Sequence, residues 1–349
     1  MPTSPRRLSP LPAITVEAPA RLHLGFLDPN GSSGRAFGSL GLAIEGHGTR
    51  LTARIAHGTR QQTAQIEGHV TEAQKERIAH YLQQLQAAFN EPRAVDIDVH
   101  EAPRAHTGLG SGTQLALTLG TAFARATGHN GTNTTDIARI LKRGARSGIG
   151  IHGFDHGGLI LDGGRDMRHA SANTLPPLIS RQAFPDDWRV LLIDDTSREG
   201  LHGDEERRGL AALDPFPETL AAHLSHLALM RILPAAAESD FDTFADAISD
   251  LQQTIGEYFA PVQGGVFASP AVARALEAVA AEQKAGIGQT SWGPVGFAFV
   301  ASAQDAERAL ATAQRVTPRA PLTFSIATGR NRGATWRAAN RREQGADAA

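Results

Sequence analysis

The chain has 349 residues, 41% of them hydrophobic, and its 34 basic and 36 acidic residues leave a formal charge of -2. That length exceeds one small core and suits two packed lobes, and the balanced charge excludes a general nucleic-acid-binding field without excluding a local basic cleft. With no cysteine, disulfides, thiolate metal sites and thiol nucleophiles are excluded, which fits a reducing, cytoplasmic setting. Residues 1–12 contain Arg6 and Arg7 with no apolar run behind them and read as a disordered tail. No other stretch reads as the roughly 18 apolar residues of a membrane span, so no membrane partner is expected. Short alternating or apolar segments at 14–16, 22–27, 40–44, 51–56 and 95–99 predict strands. Ile78, Tyr81, Leu82, Leu85 and Phe89 fall on one helical face. A second helix follows a glycine-rich segment, through Leu115, Leu119 and Phe123 towards Gly128, and a third runs from Thr135 to Gly144. The pattern lapses over 173–187, where the lobe boundary is placed, between residues 13–178 and 179–332, before a buried strand over 188–193. The second lobe is helix-rich, with stripes at Leu220, Leu224, Leu227 and Met230 and at Phe241, Phe244, Ile248, Leu251 and Ile255. Ser269-Pro270 starts a helix expected to end at Gly286. Strand 295–300, helix 303–316 and strand 322–326 follow, and the residues from Asn331 onward, above all 333–349, are expected to fray. Both lobes are thus of the α+β class.

The segment PRAHTGLGSGTQ over 103–114 places Gly108, Leu109, Gly110, Ser111, Gly112, Thr113 and Gln114 at the start of a helix. The first backbone N–H groups of a helix lack intrahelical acceptors, and glycine lets phosphate oxygens approach them closely. A plain strand-to-helix turn has the same composition, and neither the Walker pattern nor a dinucleotide fingerprint is present. Arg21 and His23, at i and i+2 in APARLHLG, share a strand face and suit an anion together, although His23 alone also suits a structural histidine. Arg143 to His152, RGARSGIGIH, forms a second basic glycine-rich turn, which a solvated surface would also explain. GIGQTSWGP over 286–294 reads as a polar loop, dense in groups that touch ligands.

The order APxRLHLG, then PxxxxGLGSG opening a helix, then a late glycine loop before a strand resembles the GHMP kinase superfamily over most of the chain. The strings GLGSGTQLAL, RSGIGIHGFDHGG, YFAPVQGG and GQTSWGPVGF look like the β-ribofuranosylaminobenzene 5'-phosphate synthase family, which includes a branch making the C-nucleosides formycin and pyrazofurin. The resemblance implies an N-terminal lobe like the second domain of ribosomal protein S5 and a ferredoxin-like C-terminal lobe. It also implies a pentosyltransferase that joins phosphoribosyl pyrophosphate to an aromatic carboxylic acid, releasing carbon dioxide and pyrophosphate. Magnesium and a homodimer come with it, and no nucleic-acid partner does.

Departures from the kinases of that superfamily are informative. Those enzymes place an acid shortly after a Ser-Gly pair, but here Ser147-Gly148 is followed by Ile149 and Gly150, and the nearest acid is Asp155. The lysine many of them carry in the first motif is Arg21, a fixed cation. An ATP-dependent kinase and a non-catalytic binding protein of the same fold are the competing expectations. On the favoured reading, segment 108–114 takes a phosphate group, with Arg21, Arg35, Arg146, Ser147 and Gly148 as further contacts and Lys142 and Arg143 as weaker ones. Asp28, Asp155 and Asp194 are candidates for magnesium or ribose hydroxyls, and His23, Gln289, Ser291 and Trp292 for orienting the acceptor. Trp292 also suits packing between the lobes.

Overall fold

The computed structural model describes residues 11–56, 64–104, 107–168, 174–200, 208–209 and 211–339. Most of the tail expected at 1–12, the segment 169–173 and residues 340–349 therefore lie outside the described residues.

Strand β1 (Ile14–Asp28) runs antiparallel to β2 (Arg35–Ile55), so the short segments expected at 14–16 and 22–27, and at 40–44 and 51–56, are parts of two long strands. The pairing of β1 shifts across Pro19, which has no N–H to give to the ladder, and again at Leu24. Strand β3 (Ile66–Gly68), helix α1 (Glu72–Phe89) and strand β4 (Val95–Glu101) follow. Helices α2 (Ser111–Ala126), α3 (Thr134–Ile140) and α4 (Ile149–His156) lead to β5 (Leu159–Asp162), β6 (Arg165–Asp166) and β7 (Leu178–Gln182). Thr71 starts α1 with a capping box, its hydroxyl taking the Gln74 N–H while the Gln74 side chain takes the Thr71 N–H. The face of Ile78, Tyr81, Leu82 and Leu85 is buried against Val95, Ile97, Leu119 and Phe123, as its spacing predicts.

The second sheet has the order β11-β8-β10-β9, from β8 (Arg189–Asp195), β9 (Gly286–Gln289), β10 (Val295–Val300) and β11 (Leu322–Ala327). Side-chain alternation divides it. Val190, Leu192, Phe297 and Phe299 face helix α7 (Phe241–Gln263). Leu191, Ile193, Ala298 and Val300 face α8 (Pro270–Glu282) and α9 (Ala303–Val316). Between the sheets' domains of sequence, α5 (Glu218–Leu227) passes through a π turn at Ala228–Ile232 into α6 (Leu233–Glu238). A π turn adds a residue per turn and rotates the stripe, so Met230, expected inside with Leu224 and Leu227, lies 64% exposed. The run over 218–238 is long and apolar enough to cross a membrane by length and composition, contrary to the expectation above. Leu224, Leu227, Ala228 and Ile232 spend that apolarity on the protein core.

Three expectations about boundaries change. Strand β7 pairs with β5, so the first sheet extends to Gln182 and the passage to the second sheet falls between Gln182 and Arg189. Thr335–Ala338 forms β12 and pairs with β1, so the chain expected to fray from Asn331 is anchored to Ala338. Helix α8 ends at Glu282, and Gly286, expected as its stop, begins β9 instead.

The two halves share one core. Ala20, Leu22, Leu24, Leu40 and Leu42 from β1 and β2 pack with Phe244, Leu251, Phe297 and Phe299 from the second half. The alternate residues of β1, Arg21 and His23, are thereby turned to the other face.

Candidate active site

On that face lies a cavity of about 630 Å3, lined from both halves of the chain. One wall is the first turn of α2. Gly110 caps the helix in the left-handed region, and its carbonyl accepts the Thr113 and Gln114 N–H groups. The Ser111 and Gly112 amides precede the first intrahelical acceptor and carry the helix's positive end. Ser111, Gly112 and Thr113 line the cavity with Gly108 and Gly110, as expected. Leu109 instead enters the shared core, and Gln114 is buried behind the turn, donating to the Gly150 carbonyl at 2.9 Å.

Arg21 ties this turn to the opposite lobe. Its Nη1 donates to the Gly108 carbonyl at 2.7 Å and to the Ser291 hydroxyl at 3.3 Å. Thr290 completes the knot: its hydroxyl donates to the same carbonyl at 2.8 Å and accepts the His23 N–H at 2.9 Å. The approach is close enough that a Cβ on Gly108, whose φ is +87°, would stand 2.3 Å from the Thr290 carbonyl oxygen.

Four more cations line the cavity: Lys142, Arg143, Arg146 and Arg77. Arg143 reaches the Thr113 hydroxyl at 3.3 Å. Sequence reasoning missed Arg77, which α1 presents with no ion-pair partner among the described residues; on an amphipathic helix its charge had no signal to separate it from solvated neighbours. Among the described residues, no Asp or Glu lines the cavity.

The remaining wall is aromatic and amide-rich. Phe26, Phe259 and Trp292 line it, with Phe259 and Trp292 in ring contact at 4.5 Å, so Trp292 is both packed and facing the cavity. Gln289 donates to Gln263 and accepts the Ala268 N–H, which fixes its amide at the cavity edge. His23 is buried beside Phe26, ring centroids 4.6 Å apart, and its Nε2 has no hydrogen-bond partner among the described residues. Burial, then the positive charges of Arg21 and Arg146, hold its pKa well below the usual imidazole value.

That depression sets a sign for stability. Between its ordinary value near 6.5 and the lowered folded value, the unfolded chain binds the proton and the folded chain does not, so His23 costs stability as pH falls below about 6.5. His23→Gln is expected to lose less stability than the native chain between pH 7 and pH 5 in urea titrations. Parallel losses in the two proteins would contradict the neutral buried imidazole.

Several predicted contacts lie elsewhere, each because another partner claims it. Arg35 donates to the Gly163 and Gly164 carbonyls at 2.6 and 2.8 Å and does not line the cavity. Asp28 closes its own turn by accepting from Gly31 N–H and the Ser32 hydroxyl. Asp155 accepts from Thr134, and Asp194 is held in a two-point ion pair by Arg104. None of these three carboxylates reaches the cavity. Ser147 lines it, but the Gly148 N–H turns away to Asp162, a buried acid at the end of β5 that sequence reasoning did not single out. The basic turn over 143–152 is partly helix α4, disguised by Gly148, Gly150 and Gly153. Gly150 is required by packing, since a Cβ there would lie 2.9 Å from Thr113 Cγ2.

Comparison with known proteins agrees with this architecture. The GHMP kinases N terminal domain matches residues 75–161, and the GHMP kinases C terminal domain matches residues 232–318. The β-ribofuranosylphenol 5'-phosphate synthase of Archaeoglobus fulgidus is 36% identical over 249 residues, 69% of this chain and 75% of that protein. Its namesake from Methanothermobacter thermautotrophicus is 28% identical over 331 residues, covering 92% of this chain and 98% of that protein. Homoserine kinase from Cytophaga hutchinsonii has the same fold, with a TM-score of 0.67 at 13% identity, covering 96% of this chain and 100% of that one. Mevalonate diphosphate decarboxylase from Staphylococcus aureus follows at 0.66 and 13%, covering 93% and 98%. With its motifs, its two-part fold and relatives above 30% identity aligned over most of their length, the chain belongs to the β-ribofuranosylphenol 5'-phosphate synthase family, built on the GHMP kinase fold.

Proposed function

We propose that this enzyme is a decarboxylative C-ribosyltransferase that joins C1 of phosphoribosyl pyrophosphate to the carboxylate-bearing ring carbon of an aromatic acid. One observation carries the assignment: a cavity with five cationic side chains around a helix N-terminus, an aromatic wall opposite, and no carboxylate among its described lining residues. Such a lining suits a polyanionic donor and a flat acceptor together. It suits ATP-dependent phosphorylation less, because a kinase of this fold activates a hydroxyl beside an acid placed shortly after a Ser-Gly pair, and Ser147-Gly148 is followed here by Ile149 and Gly150.

The chemistry balances without a protein base. As the C1–oxygen bond breaks, its electron pair leaves with pyrophosphate and positive charge builds on the ribose. The ring carbon's electron pair forms the new carbon–carbon bond. The bond to the carboxylate then breaks, carbon dioxide departs, and its electron pair restores aromaticity. The protein's tasks are to neutralise the leaving charge and hold the two reactants face to face. Arg21, Arg146, Ser147 and the Gly108–Thr113 turn are assigned to the donor phosphates, with Arg77, Lys142 and Arg143. Trp292, Gln289, Ser291 and His23 are assigned to the acceptor. Magnesium would come with the donor, neutralising part of the pyrophosphate charge, since it keeps several waters and needs few protein ligands; the cavity's described residues offer it no carboxylate.

The relatives' names specify a ribosylphenol product, which a 4-hydroxybenzoate acceptor would yield after losing carbon dioxide. The test incubates the enzyme with phosphoribosyl pyrophosphate, magnesium and carboxyl-labelled 4-hydroxybenzoate, 4-aminobenzoate or a pyrazole dicarboxylate. Labelled carbon dioxide and pyrophosphate are expected in equal amounts, with 4-hydroxybenzoate the best acceptor. Donor-independent release, or no release with any acceptor, would sink the proposal.

A further inference from the structure

We infer that Asp162 is a positioning residue for the donor site: from beneath the cavity, its buried carboxylate pins the Ser147–Gly148 turn and so fixes the basic loop that presents Arg143 and Arg146. The inference rests on the donor assignment above and adds to it a residue that touches no substrate. Asp162 ends β5 and is 1% exposed. Its Oδ2 accepts the Gly148 N–H at 2.8 Å and the Ser147 hydroxyl at 3.3 Å, and its Oδ1 accepts the Gly164 N–H at 2.9 Å. Ser147 in turn takes the Ile149 N–H at 3.2 Å, so the start of α4 is bound into the same cluster.

The support continues on the far side. Arg35 grips the Gly163 and Gly164 carbonyls, which holds in place the turn whose amide feeds Oδ1. That turn has no slack, because a Cβ on Gly164, at φ +63°, would lie 2.3 Å from the Ala36 carbonyl oxygen. A continuous chain of bonds therefore runs from Arg35 through the turn after β5 and Asp162 to Ser147, the last residue of the loop lining the cavity. A carboxylate is the side chain this arrangement requires, since both of its oxygens must accept from main-chain N–H groups. An amide can accept on one side only, and its NH2 would confront a donor on the other.

Asp162→Asn in the full chain is therefore expected to raise KM for phosphoribosyl pyrophosphate and to weaken binding of inorganic pyrophosphate, measured by calorimetry, each about tenfold, the worth of one charge-assisted hydrogen bond. The acceptor KM and kcat at saturating donor should stay within about twofold, a split that general loss of structure would not produce. Native pyrophosphate affinity in a folded Asp162→Asn protein overturns the inference. Should that variant fail to fold, Arg35→Ala probes the chain of bonds from its other end. There a roughly threefold loss of pyrophosphate affinity is expected, and none would overturn the inference equally. If the unaltered enzyme binds pyrophosphate yet Asp162→Asn and Arg35→Ala do too, only the positioning role falls. If the unaltered enzyme binds neither pyrophosphate nor phosphoribosyl pyrophosphate, the donor assignment falls with it.

Discussion

Arg21→Ala will lower kcat/KM for the donor by about a thousandfold, or about 4 kcal/mol of transition-state stabilisation. Two losses combine. The cavity loses a fixed cation where, on the proposed reaction, leaving-group charge develops, and the Gly108 carbonyl loses a 2.7 Å charge-assisted bond that anchors the turn before α2 to β1. Arg21→Lys separates them, because an ammonium restores the charge but sits one bond short of the Nη1 position that reaches both Gly108 and Ser291. It should recover part of the rate, leaving a deficit of about tenfold to thirtyfold. Steady-state kinetics with varied donor measure both. An Arg21→Ala enzyme within about threefold of the native kcat/KM would remove Arg21 from the donor site.

Gly108→Ala will both destabilise the protein and abolish tight donor binding. The position has φ +87°, where a side chain is strained, and the added Cβ would stand 2.3 Å from a main-chain oxygen of Thr290, far inside contact distance. Neither element can yield cheaply. Thr290 is paired to Val295 and carries the bonds to His23 and Gly108, so the turn itself must shift. The cost should be about 3 kcal/mol of stability, with donor affinity down at least about a hundredfold as the amides move off the phosphate. Gly131→Ala is the control, since nothing lies within 4 Å of its added Cβ. Thermal melts and pyrophosphate calorimetry on both variants decide the matter. A Gly108→Ala protein with native melting temperature and affinity would show that the turn is not clamped on Thr290.

What was legible in the sequence is what depends on near neighbours. The alternation in β1 put Arg21 and His23 on one face, and glycines before an apolar helix marked the turn that opens α2 and lines the cavity; both follow from local sequence pattern. The roles of Asp28, Arg35, Asp155 and Asp194 did not, because a charged side chain's partner is chosen by the fold. Arg35 is claimed by carbonyls 128 and 129 residues away. Asp162 hid in the run Leu159–Asp162, where it reads as the polar end of a buried strand. Helix α4 was obscured by its own glycines, which lower helix propensity but permit close packing on α2. Met230 was misplaced because periodicity counts 3.6 residues per turn and a π turn does not.

The seam between the two halves has a mechanical consequence. Thr290 bridges the Gly108 turn and β1, the Ser291 N–H donates to the His23 carbonyl at 3.2 Å, and Gln252 on α7 bonds both Leu24 and Gln289. Polar bonds of this kind, set over a continuous apolar core, oppose separation of the two halves at this seam. On the proposed reaction, the dipoles assigned to the leaving group would then be aligned before the donor arrives, and little free energy would be spent on reorienting them as the bond breaks.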